Sequence, residues 1–312
     1  MMCSHCHAGA EGYDHEDCSE TPPWHDTLFS TRPWTRQPPL TKSPFDASAP
    51  EKLFRLDMFH LFKVGLGRHI CASAITAMCL LKFWDHAGDA KNLHDRLHRA
   101  HSSFQLWCIA ECEQPGLRSF TQAFFNIKTK ASFPWSSSKG SDTTLMLRWL
   151  RFLTALELSQ DSPRHESFLR KLKHLVEHGL EAFRVVHNHG LWLERACAKL
   201  LYGHLMLLLR SYKAVAKECH AKRLAGFSLV PKFHAIHHVA VSIGSDVRSG
   251  AAMVLNPLYA GCEMNEDFVG RLSRLSRKLG TKTLTRRVLQ RHLYKKKAVT
   301  ARHVHVHEEI RC

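Results

Sequence analysis

Two sets of residues in this 312-residue chain have the types and spacing for metal chemistry. Near the N-terminus, Cys3-x2-Cys6 is followed by His15-x2-Cys18, four soft donors in two close pairs. Thiolates and imidazoles so spaced are the ligands of structural zinc. One zinc ion on Cys3, Cys6, His15 and Cys18 is therefore expected, with His5 and His7 as spare donors. The second set is a pair of carboxylates far apart in sequence. Asp57 follows the apolar segment Leu53-Phe54-Arg55-Leu56, and Glu266 opens a basic helix. Paired magnesium or manganese ions at a phosphodiester need oxygen ligands of this kind. Each acid also has a plainer role. Asp57 can be the N-cap of the helix after it, and Glu266 and Asp267 are favoured in a first turn by the helix dipole.

Cations gather downstream of Glu266. Phe268, Leu272, Leu275 and Leu279 form a narrow apolar stripe, and Arg271, Arg274 and Lys278 form a basic stripe beside it. Arg286, Arg287, Arg291 and Lys295-Lys296-Lys297 follow. Between Phe268 and His307 there are twelve Lys or Arg and no acid, whereas residues 1–50 hold seven acids and three basic residues. With a formal charge of +16 for the whole chain, this asymmetry points to a polyanion held at the C-terminal end. Upstream, His234, His237 and His238 share one helical face at steps of three and four. They can hold a metal, sit in the core, or face phosphate beside Lys232.

The order of these pieces carries a family likeness. Leu56-Asp57-Met58-Phe59-His60 resembles the second acidic motif of CACTA-type, cut-and-paste DNA transposases of the DDE class with an RNase H-like core. Lys232-x-His234-x2-His237 is similar to the stretch before that family's last motif. Glu266, with Leu272 and Arg277 after it, looks like the final catalytic Glu and its basic helix. The likeness covers roughly residues 53–70 and 229–293. It implies that Asp57 and Glu266 are catalytic ligands of magnesium or manganese. Together with the basic stripe and the cations after it, this gives the expected DNA contacts: Lys232, His234, Arg271, Arg274, Lys278, Arg286, Arg287 and Arg291. The family's first catalytic Asp has no counterpart in residues 1–50. The chain thus reads as the C-terminal part, or a decayed or repurposed copy, of such an enzyme. The expected function is a transposase-derived DNA-binding protein, a catalytically incomplete metal-dependent nuclease or strand transferase. The alternative is a non-enzymatic, zinc-containing nucleic-acid-binding protein.

The elements that must position these residues are mainly helical. Seven prolines between Pro22 and Pro50 forbid a continuous helix, so residues 1–50 read as an irregular Cys/His/Pro-rich arm. Residues 51–280 read as a transposase-like core with a helical insertion, and 281–312 as a basic helix with a His-rich tail. A short strand is expected over Leu53–Leu56, strand character over Phe104–Ala110, and helices over Met58–Phe83, Asp142–Leu158, from Ser162-Pro163, over Leu191–Lys222, and briefly after Val230-Pro231. The fold class is mainly α, with a small, incomplete mixed α/β element of RNase H-like kind. Eleven scattered cysteines and a polar N-terminus point to free thiols in a reducing, nuclear or cytoplasmic setting. The expected partner is DNA. Self-association stays open, and the most apolar run, Leu191 to Leu209, is too interrupted by charge for a membrane span.

Overall fold

The computed structural model describes residues 2–30, 34–42, 55–277, 283 and 286–294. Leu53, Phe54, Lys278, residues 43–50 and the tail from 295 lie outside the described residues, as do the side chains of Asp267 and Arg271. The chain divides into two compact units, 1–261 and 262–312.

The first unit is a helical assembly, as the mainly α reading expects. A π-helical segment, Phe59–Leu66, leads into α1 (Gly67–Leu80). There follow α2 (Leu93–Ala110), α3 (Gly140–Leu158), α4 (Glu166–His187), α5 (Arg195–Ala221) and α6 (Pro231–Arg248). The long α4–α5 pair is the centre, with α3 packed on α4 and α6 on α5. On α4, Phe168, Leu169, Leu172, Leu175, Val176 and Gly179 are buried. This three-and-four spacing turns one apolar face inward, and burying it supplies most of the helix's stability. β1 (Trp192–Glu194) and β2 (Met253–Leu255) pair antiparallel, Leu193 opposite Val254, and bracket α5 and α6. The buried Asn256 fastens this bracket by donating to the carbonyls of Val186 and Gly190 at 2.8 and 2.9 Å.

Several boundaries differ from those expected. Phe104–Ala110 is helix, the last turns of α2, because Leu97, Ala100, Phe104, Trp107 and Cys108 recur at helical spacing on one buried face. Asn92 caps that helix by accepting the Asp95 N–H at 3.0 Å. α4 starts at Glu166, not after Ser162-Pro163, since His165 takes a left-handed φ of 54° that no α-helix can include. The helix beginning at Pro231 is not brief but 18 residues long. Arg55–Asp57 carry no regular structure, and the sheet lies at β1 and β2 instead.

The N-terminal arm is folded without helix beyond short 3-10 turns such as Pro23–Thr27. Trp24, fully buried, is its centre. In the second unit, α7 (Glu263–Ser276) starts two residues before Asn265, and residues 286–294 are helical. Among the described residues no helix is long and apolar enough to cross a membrane.

Candidate metal centre and nucleic-acid interface

The arm lies against the face of α6 that carries His234, His237 and His238, all buried. Cys3 Sγ is 3.3 Å from His238 Nε2, and Cys6 Sγ is 3.3 Å from His234 Nε2 and 3.4 Å from His238 Nε2. The four ligand atoms lie within 4.8 Å of one another. This cluster could hold a metal ion. A zinc tetrahedron with Zn–S bonds of about 2.3 Å and Zn–N bonds of about 2.0 Å has S···N edges of roughly 3.5 Å, so two thiols and two imidazoles at these separations fit one.

The local backbone favours thiolates. Cys3 Sγ accepts the His5 N–H at 3.3 Å, and Cys6 Sγ accepts the Ala8 N–H at 3.4 Å. The hydrogen bond with Cys6 holds the Cys3 thiol far below its ordinary range, against the opposing pull of burial, with His234, His238 and His5 adding to the effect. Cys6 is pushed up, first by that same bond and then by burial. Two bare thiolates side by side repel; a divalent cation between them removes the conflict. Burial also lowers His238, which keeps its imidazole in the neutral form that binds metals.

Around the donors the packing is tight. Trp24 meets the rings of His234, His237 and His238 at centroid distances of 4.6, 5.1 and 4.5 Å. His237 is no ligand: its Nε2 donates to the Ser19 carbonyl at 3.0 Å, fastening the arm a second way. Burial, chiefly, brings its pKa down to about 4.

The cluster that could hold a metal shares two residues with the expected ligand set. Cys3 and Cys6 belong to the cluster, but His234 and His238 replace His15 and Cys18. Cys18 donates to the Glu16 carbonyl at 3.3 Å, and burial pushes its thiol up to about 11. His15 lies 4.0 Å from Asp14. Neither joins a metal-sized group among the described residues. His234, 1% exposed, cannot face phosphate as expected. The spacing that could have pointed to this cluster is His234-x3-His238, two imidazoles one helical turn apart.

Asp57 is held by its own helix. Its Oδ1 accepts the Phe59 N–H at 2.8 Å, its Oδ2 lies 2.6 Å from His60 Nδ1, and its carbonyl accepts the Leu61 N–H. This is the cap geometry that one reading of the sequence offers. Glu266 stands exposed in the first turn of α7, in the second unit. Arg274, Arg286 and Arg287 are exposed there too. Arg291 is partly engaged, donating to the Leu275 carbonyl at 3.1 Å near the end of α7. Lys232, at the start of α6, is half-buried and lies 3.4 Å from the Val64 carbonyl.

The chain matches no protein-family model, no curated protein and no solved structure.

Proposed function

We propose that this chain is a DNA-binding protein of transposase descent whose N-terminal arm is clasped to α6 by a structural zinc ion. The observation that carries DNA binding is the acid-free run of twelve Lys or Arg between Phe268 and His307, in a chain whose acids concentrate at the opposite end. Such a run neutralises phosphates and releases their counterions, a sequence-independent attraction. Zinc is favoured at Cys3, Cys6, His234 and His238 because two thiolates and two imidazoles in a closed tetrahedron are a structural zinc set, with no open position for catalysis.

The test is the salt dependence of duplex binding. Each phosphate contact contributes about 0.9 to the slope of log K against log salt. Arg286→Gln with Arg287→Gln should lower the slope by about two, equally across DNA sequences. An unchanged slope moves the binding surface elsewhere.

Metal-dependent strand cleavage is a second reading, favoured by Asp57. Its carboxylate is shielded, 16% exposed, and oriented by His60, as ligating carboxylates are oriented by outer hydrogen bonds. On this reading Asp57 is a ligand of magnesium or manganese, and Glu266 keeps the catalytic role that the likeness implies. Nicking of DNA that needs either ion, and is lost in both Asp57→Asn and Glu266→Gln, supports it. A wild-type chain that binds but never nicks leaves the binding function alone.

A further inference from the structure

A second cluster of charge lies in the first unit, away from the thiols. A cavity of about 360 Å³ is lined by Gly65 of the π-helical segment, Arg68 and His69 of α1, Trp135 of the loop before α3, and Pro231 and Lys232 of α6. Among the described residues no carboxylate lines it, and no acid acts on Arg68 or Lys232. Arg68 Nε and His69 Nδ1 are buried without a hydrogen-bond partner among the described residues. Buried polar groups are nearly always satisfied, so two unpartnered side chains lining one cavity call for a ligand. Cations gathered without an acid repel one another, and an anion relieves that repulsion.

The cavity is built for rigidity. A Cβ on Gly65 would stand 2.7 Å from Lys232 Cδ and 2.5 Å from the His60 carbonyl oxygen, so the lysine stem crosses the backbone where only glycine fits. The Ser136 N–H donates to the Arg68 carbonyl at 3.2 Å, which fixes Trp135 beside the arginine. Trp135 is 41% exposed, leaving ring surface for a ligand to cover. π-Helical turns such as the one forming this wall recur at functional sites.

We infer that this cavity binds a nucleotide phosphate, with Arg68, His69 and Lys232 on the phosphate oxygens and the attached base stacked on Trp135. The inference rests on the DNA-binding reading and adds to it a place where an unpaired nucleotide is gripped. An aromatic platform beside backbone-binding cations is how single strands are held without sequence preference.

The experiment is calorimetric titration of the zinc-loaded full chain with inorganic phosphate, thymidine, thymidine 5′-monophosphate and a 5′-phosphorylated oligothymidylate. Phosphate and both nucleotides should bind and thymidine should not. A tighter oligomer identifies a strand as the ligand, and equal affinity a free nucleotide; both support the cavity. Arg68→Gln and Lys232→Gln should each weaken the monophosphate at least tenfold, and Arg68→Lys should restore part of the loss. Trp135→Ala should weaken the nucleotide about tenfold yet leave inorganic phosphate unchanged. If Arg68→Gln does not fold with full zinc content, Arg68→Lys and Trp135→Ala decide. A wild-type chain that binds no phosphate species, or variants that bind as it does, overturns the inference. The duplex salt slope, read on the same preparations through Arg286 and Arg287, keeps the outcomes apart. A slope that drops by about two in Arg286→Gln with Arg287→Gln, beside a silent cavity, removes only this inference, and a slope that this pair leaves unchanged, beside a working cavity, removes only the C-terminal binding surface.

Discussion

Replacing Cys6 by Ser should release the arm while leaving the helical centre folded. Beside the His237–Ser19 hydrogen bond, two larger contributions hold residues 2–30 against α6 on the proposed function. One is Trp24, fully buried among three imidazoles, whose truncation to Ala would cost about 3–5 kcal/mol. The other is the metal. At free zinc a thousandfold above its dissociation constant, binding stabilises the docked arm by about 4 kcal/mol. Cys6→Ser removes the second contribution and keeps the first, so the arm opens roughly a thousand times more often without full unfolding. Hydrogen exchange should show this: amides of residues 2–30 speed up by about that factor, while those of α4 and α5 stay protected. Zinc content should fall from one per chain to none in Cys6→Ser and in His238→Ala, and stay at one in His15→Ala and Cys18→Ser. Zinc that persists in Cys6→Ser, or that is lost on changing Cys18 and His15, would refute the assignment. So would arm exchange that a chelator leaves unmoved.

Acid should weaken the fold in a defined window. Burial first, and then the Lys232 charge, bring His69 down to about 4 from its usual 6.5. The unfolded chain therefore takes up a proton that the folded one refuses, and stability falls as pH drops from about 6.5 toward 4, by roughly 3 kcal/mol. Denaturant titrations at each pH should show that slope flattened in His69→Gln. Gly65→Ala forces a new methyl against the His60 carbonyl and the Lys232 stem, and should cost about 1–3 kcal/mol, read as a lowered thermal midpoint. Asn256→Ala leaves the Val186 and Gly190 carbonyls without their donor beside the β1–β2 bracket, and should cost about 1–3 kcal/mol in urea unfolding.

Helices α3 to α6 were legible in the sequence because their apolar residues repeat at helical spacing and the helices bury those faces. Their ends were less so. Whether a helix starts at Pro163 or Glu166 turns on one left-handed residue, His165, and Phe104–Ala110 shows strand-like composition until its neighbours in the turn before are counted. The capping role of Asp57 is local and was readable from the residues that follow it.

The Cys/His cluster divides the two kinds of information most clearly. Residue chemistry alone marked Cys3 and Cys6 as donors, since two thiols at that spacing reach one ion from a single turn of chain. It also set His234 and His238 one helical turn apart. What it could not supply is that the two pairs face each other. Cys6 and His234 are 228 positions apart, and nothing local distinguishes His238 from His15 as the partner. That choice belongs to the burial of Trp24 against α6, which brings the arm to the helix face. The same holds for Arg68 and His69, unremarkable in sequence, and for Lys232, marked there only by its place before the histidines; they line one cavity only because α1 and α6 meet across Gly65.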